Sequence, residues 1–105
     1  MSIQKKVVPA RGICRVTFAL PETITDHANR VALVGDFNNW HPEKNLLHKS
    51  KTGRFQTTIE LPLGQDYQFR YLIDSYRWEC DYEADALAKT PYEDEYNSVV
   101  ICSRH

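Results

Sequence analysis

Two tryptophans stand in polar, turn-rich surroundings and not inside apolar runs. Trp40 closes the stretch Gly35-Asp-Phe-Asn-Asn-Trp40, followed by His41-Pro42. An indole in such a place either folds back as a lid on the core or offers its flat apolar face to something outside the chain. Trp78 follows a turn signal at Asp74-Ser75 and precedes Glu79 and Asp81. It is either a cross-strand packing partner or a second presented ring. Arg70 lies on the polar side of an alternating run, where it is a solvated surface cation or a fork of donors for oxygen atoms of a ligand. Asn97 opens the last apolar run, where it can cap a loop.

Other chemistries have weaker residue support. Two carboxylates set for glycoside hydrolysis would have to stand about 5–10 Å apart across a cleft. Asp36 and Asp81 could be pictured so, but Asp36 reads better as a turn residue, and no catalytic residue is expected. His27, His41, His48 and His105 are scattered, with no His-x-x-x-His or Cys-x-x-Cys spacing for zinc. No metal and no cofactor is expected. Cys80 lacks the local partner motif of a nucleophile.

The elements that must position these residues read as strands. Residues 1–12 carry Lys5, Lys6 and Arg11 without an acid, broken by Pro9 and Gly12, and read as an N-terminal arm. Residues 13–105 read as one β-sandwich module. Ile13–Leu20 places Cys14, Val16, Phe18 and Leu20 on one face, the period-two pattern of a half-buried strand. Residues 22–29 read as a connection, and Val31–Val34 as a short buried strand closed by Gly35. After Gly53, Phe55, Thr57, Ile59 and Leu61 alternate with Gln56, Thr58 and Glu60. Tyr67, Phe69, Tyr71 and Ile73 then share a face, with Gln68, Arg70 and Leu72 on the other. Residues 81–97 are acidic and read as a solvated loop, with a short helical turn at most over 82–89. Ser98–Cys102 reads as the final strand. Short strands joined mostly by short turns predict an all-β, antiparallel sandwich, with Phe18, Leu33, Phe69, Tyr71 and Val99 in its core.

Size and charge narrow the partners. The chain has 105 residues, 42% of them hydrophobic, and a formal net charge of -1; this suits one globular domain. The pI is about 6.4, which argues against nucleic acid, whose binders concentrate Lys and Arg. No apolar run reaches the roughly 20 residues that cross a bilayer, so no membrane partner is expected, and the first ten residues lack the apolar stretch of a secretory signal. Three widely spaced cysteines, Cys14, Cys80 and Cys102, do not make a disulfide framework. They read as unpaired thiols and point to the cytoplasm.

Val31-Ala-Leu-Val-Gly-Asp-Phe-Asn-Asn-Trp40 and Tyr67-Gln-Phe-Arg-Tyr-Leu-Ile-Asp74, followed by Trp78, Asp81 and Asn97-Ser-Val-Val100, resemble a known family. It comprises the glycogen- and starch-binding modules found beside isoamylases and glycogen branching enzymes, with a relative in the β subunit of AMP-activated protein kinase. The resemblance spans about residues 13–102. It implies an immunoglobulin-like β-sandwich that binds α-linked glucan, whether glycogen, starch or malto-oligosaccharide, without catalysis. By position, Trp40 and Trp78 would stack on glucose rings, and Arg70 and Asn97 would hydrogen-bond the sugar. In the related enzymes the chemistry resides in a separate barrel of about 250 residues, for which this chain has no room.

The sequence departs from the family in two places. Asp74-Ser75 stands where members often have Asp-Gly, and Gly takes a positive φ more readily than Ser. Glu93-Asp94-Glu95-Tyr96 stands where the kinase module has a Leu and a Thr that help clasp the glucan. The alternative reading is an interaction domain with little glycan affinity, or an accessory subunit for an amylase-type partner enzyme.

Overall fold

Alternation of apolar and polar residues builds most of this chain into strands. The computed structural model describes residues 3–91 and 95–103. The described residues form β1 (Ile3–Val8), β2 (Ile13–Leu20), β3 (Val31–Gly35), β4 (Leu46–Lys49), β5 (Phe55–Pro62), β6 (Gln65–Ile73), β7 (Arg77–Glu79), β8 (Ala86–Lys89) and β9 (Tyr96–Cys102). A four-residue helix, α1 (Glu22–Thr25), sits between β2 and β3.

All pairings are antiparallel, along the path β1-β2-β5-β4-β3-β6-β9-β8, with β7 also on β6. β4 pairs with both β3 and β5 and so carries the ladder from one layer to the other. β1, β2 and β5 make one layer; β3, β6 and β9 make the layer facing it. Val16 and Leu61 of the first layer and Leu33, Phe69 and Val100 of the second lie in one buried cluster. Phe18 of β2 meets Phe69 of β6 edge-on, with ring centroids 5.0 Å apart, and Phe69 meets Tyr71 likewise at 5.6 Å. The fold is the all-β antiparallel sandwich expected from the alternation.

Phe18, Leu33, Phe69 and Tyr71 are fully buried in that core. Val99 is buried as well, but on the other face of β9. Val100 and Cys102 point into the shared cluster, and alternation turns Val99 outward together with Asn97.

Three local expectations are corrected, and one strand joins those expected. The expected N-terminal arm contains β1, paired with β2 from Ile3↔Phe18 to Val8↔Ile13. Its lysines hide the strand because β1 is an edge, and edge strands tolerate charge. Lys5 shares a face with Ile3 and Val7. It reaches the opposite layer, donating to Asp85 Oδ2 at 2.7 Å and to the Ile101 carbonyl at 2.9 Å. The suggested helical turn over 82–89 contains β8 instead, paired with β9 from Ala86↔Val99 to Lys89↔Tyr96. Leu46–Lys49, not singled out in the sequence, is β4.

Nor is the acidic run uniformly solvated. Asp81 is buried and accepts the Tyr71 hydroxyl at 2.9 Å; its amide donates to Ser98 Oγ. Burial and the adjoining Asp81 charge push the Tyr71 phenol well above its ordinary range. Asp85 receives both Lys5 and the Ile101 amide. Glu93 and Asp94 lie outside the described residues.

Candidate functional site

The outer face of the β3-β6-β9 layer is where the four singled-out side chains meet. Alternation along β6 sends Tyr67, Phe69, Tyr71 and Ile73 inward and Gln68, Arg70 and Leu72 outward. β9 lies opposite Gln65–Phe69 and β7 opposite Tyr71–Ile73, along the same edge of β6. The change from one neighbour to the other falls at Arg70. Trp78 on β7 faces Leu72, and Leu72 faces Ala32 on β3. Trp40, Arg70, Trp78 and Asn97, with Thr90, Pro91 and Glu95, line one open cavity of about 290 Å³.

Trp40 arrives there through a tight turn after β3. Asn39 and Trp40 both take left-handed φ, 56° and 58°, a region that costs a non-glycine residue about 1 kcal/mol or more. Local bonds hold it. The Trp40 amide donates to the Gly35 carbonyl at 2.9 Å, and the His41 amide to Asn38 at 3.1 Å. The buried Asn38 side chain accepts the Gly35 amide and donates to the Leu33 carbonyl and to Asn45 Oδ1. Gly35 itself is required by close approach: a Cβ there would stand 2.5 Å from the Gln68 carbonyl.

The indole is fixed at its edge. Trp40 Nε1 donates to Asp36 Oδ1 at 2.9 Å, while Asp36 Oδ2 accepts the Gln68 amide at 2.8 Å. Trp40 packs against a small buried cluster of Ala32, Val34 and Leu72. This is an outer cluster, separate from the main core, so Trp40 is half-buried without being the lid of that core. Trp78 is 47% exposed.

The polar wall is prearranged. Arg70 Nε donates to Asn97 Oδ1 at 2.7 Å, and Asn97 Nδ2 donates to Gln68 Oε1 at 2.9 Å. The Arg70 side chain is only 17% exposed and its guanidinium stands 3.7 Å from Glu95 Oε2. Glu95 is held in turn by its carbonyl, which accepts the Thr90 amide and hydroxyl, each at 3.1 Å. Arg70 keeps donors that neither Asn97 nor Glu95 occupies.

An arrangement of two indoles, an apolar floor and an amide–guanidinium wall suits a flat ligand with apolar faces and polar rims. Among the described residues lining the cavity, none is a Ser, Cys or His. No group of three or more His, Cys, Asp or Glu among the described residues could hold a metal ion, and no helix among them is long and apolar enough to cross a membrane.

Two parts of this site, Asp36 and the Thr90–Pro91 pair, have no ligand-site signal of their own in the sequence. Asp36 was read as a turn residue only; the signal for more is its place four residues before Trp40 in a turn that folds back on itself. Glu95, expected where the kinase module has its clasping Leu and Thr, does line the cavity. Thr90 and Pro91 carry no local signal, because only the β8–β9 pairing brings them here.

Compared with known proteins, residues 23–102 match the family model described as the glycogen recognition site of AMP-activated protein kinase. No curated protein matches the chain.

Proposed function

The chain belongs to the family described as the glycogen recognition site of AMP-activated protein kinase, and from that premise we propose that it binds α-1,4-linked glucan without transforming it. Trp40 and Trp78 stack on glucose rings; Arg70 and Asn97 hydrogen-bond the hydroxyls. The observation that carries this reading is the shared cavity. Two tryptophans far apart in sequence line one opening together with a guanidinium and an amide.

The physics of a sugar fits these groups. The C–H face of a glucose ring is flat and apolar, while its rim carries hydroxyls that stay wet or find donors. Covering on the order of 60 Å² per ring contributes about 1.5 kcal/mol at 25 cal/mol per Å². Two rings and a few hydrogen bonds, less the cost of association, give dissociation constants on the order of 10 μM to 1 mM. A polymer with many neighbouring sites raises the effective affinity well above that of a short chain.

A second reading has one observation behind it. Tyr76 and Tyr82 are 78% and 76% exposed, and exposed aromatic rings also serve protein contacts. An accessory role beside an amylase-type enzyme would use them.

Native gel electrophoresis with and without glycogen tests the main reading. The wild-type chain should be retarded by glycogen and a Trp40→Ala variant should not. Equal mobility of the two in glycogen, with both variants folded, would overturn glucan binding at this site.

A further inference from the structure

Among the described residues lining the cavity, two are ionisable and they have opposite charge: Arg70 and Glu95. Their 3.7 Å separation leaves the wall with no net positive charge. Asp36 adds a carboxylate at the edge of Trp40. A half-buried guanidinium beside an apolar floor would otherwise be a ready receptor for phosphate, to which Arg is well matched. The Glu95 backbone is tied to Thr90, whose amide and hydroxyl both donate to its carbonyl.

We propose that Glu95 is a specificity-determining residue that restricts this cavity to uncharged glucan and rejects chains whose rings carry phosphate esters. The inference rests on the proposed function and deepens it. A phosphate ester carries about -1.5 to -2 charges at neutral pH. Seated between the two tryptophans, it would meet the Glu95 carboxylate and an arginine whose charge is already answered. A neutral hydroxyl suffers no such repulsion and still accepts an unused Arg70 N–H. Charge cancellation thereby separates two ligands of nearly the same shape, the repulsive element that specificity commonly requires.

The test uses calorimetry with maltoheptaose and with maltoheptaose phosphorylated at C6 of its rings. The quantity read is the ratio of the two dissociation constants within each variant. In the wild type the phosphorylated chain should bind on the order of tenfold more weakly. Glu95→Gln, an exposed and near-isosteric change, should bring that ratio close to one or reverse it. Arg70→Gln should move the ratio further against phosphate. Raising the salt should narrow the wild-type gap, since screening acts on the charge and not on the bulk of the ester.

A wild-type ratio near one overturns the proposal. So does a ratio that Glu95→Gln leaves where it was, which would assign the discrimination to steric bulk. Failure of unmodified maltoheptaose and glycogen to bind at all is a different result: it overturns the proposed function, and this inference falls with it.

Discussion

The carboxylate of Asp36 accepts the indole N–H of Trp40 at 2.9 Å, four residues along the chain. The same carboxylate holds the Gln68 amide of β6, so the ring is referenced to the sheet and not only to its own loop. A side chain easily taken for turn chemistry is therefore what orients one of the two indoles that line the cavity.

Asp36→Ala should weaken glucan binding by roughly three- to tenfold while costing about 1–2 kcal/mol of stability, the usual loss when a bonded group is left unpaired. Trp40→Ala should cost more in binding. Calorimetry on maltoheptaose and thermal melts of both variants measure the two effects separately. Unchanged affinity in Asp36→Ala would show that Trp40 needs no such anchor.

The turn between β6 and β7 carries strain that can be removed. Asp74 and Ser75 both take left-handed φ, 53° and 64°. Asp74 has a reason to be there, since its Oδ1 accepts the Asn29 and Arg30 amides. Ser75 makes no comparable side-chain bond among the described residues. Ser75→Gly should stabilise the fold by about 0.5–1 kcal/mol because glycine enters this region without steric cost. A rise of a few degrees in the melting temperature is expected; a fall would mean that the serine side chain makes a contact worth more than the strain.

Stability should fall in alkali. The Tyr71 phenol is pushed well above its ordinary value by burial and by Asp81, and burial pushes the Cys102 thiol up to about 12. Tyr67 and Cys80 shift upward too, mainly through burial. In each case the unfolded chain loses its proton at lower pH than the folded chain. The stabilisation is complete below the unfolded values, near 9 for thiol and 10 for phenol, and is lost as pH rises toward the folded ones. Urea midpoints between pH 8 and 11 should decline, and more gently in Tyr71→Phe. A flat profile would contradict the burial of these groups.

The three thiols are unpaired and should differ in reactivity. Cys14 and Cys102 are wholly buried. Cys80 is partly exposed, with its thiol donating to the Tyr96 carbonyl at 2.7 Å. A thiol reagent should modify Cys80 first and the other two only as the protein unfolds; in denaturant without reductant all three should react. Finding one reactive thiol in denaturant would reveal a disulfide.

Short oligosaccharides should bind weakly, near millimolar, and glycogen more strongly through its many neighbouring sites. Glu95 occupies the rim of the cavity, where a carboxylate must keep its hydration or find donors. An apolar contact in its place would contribute about 1–2 kcal/mol, or roughly tenfold. A dissociation constant below about 1 μM for maltoheptaose would show that some other contact supplies the missing affinity.

Period-two alternation was enough to read β2, β5 and β6 and to place Phe18, Phe69 and Tyr71 inside, because burying one face of a strand leaves its mark on every second residue. It was also enough to turn Arg70 outward. The run from Gly35 to Trp40 announced a special turn through its own composition. Alternation failed where a strand lies at an edge or is very short: Lys5 and Lys6 disguise β1, and β4 and β8 have four residues each. What local sequence could not decide is adjacency. Asp81 looks like part of an acidic loop until the fold sets it beneath Tyr71. Arg70, Asn97 and Glu95 become one wall only because β9 takes over from β7 along the edge of β6. Pairing between distant strands depends on how the whole chain closes its core, and no short stretch of residues carries that information.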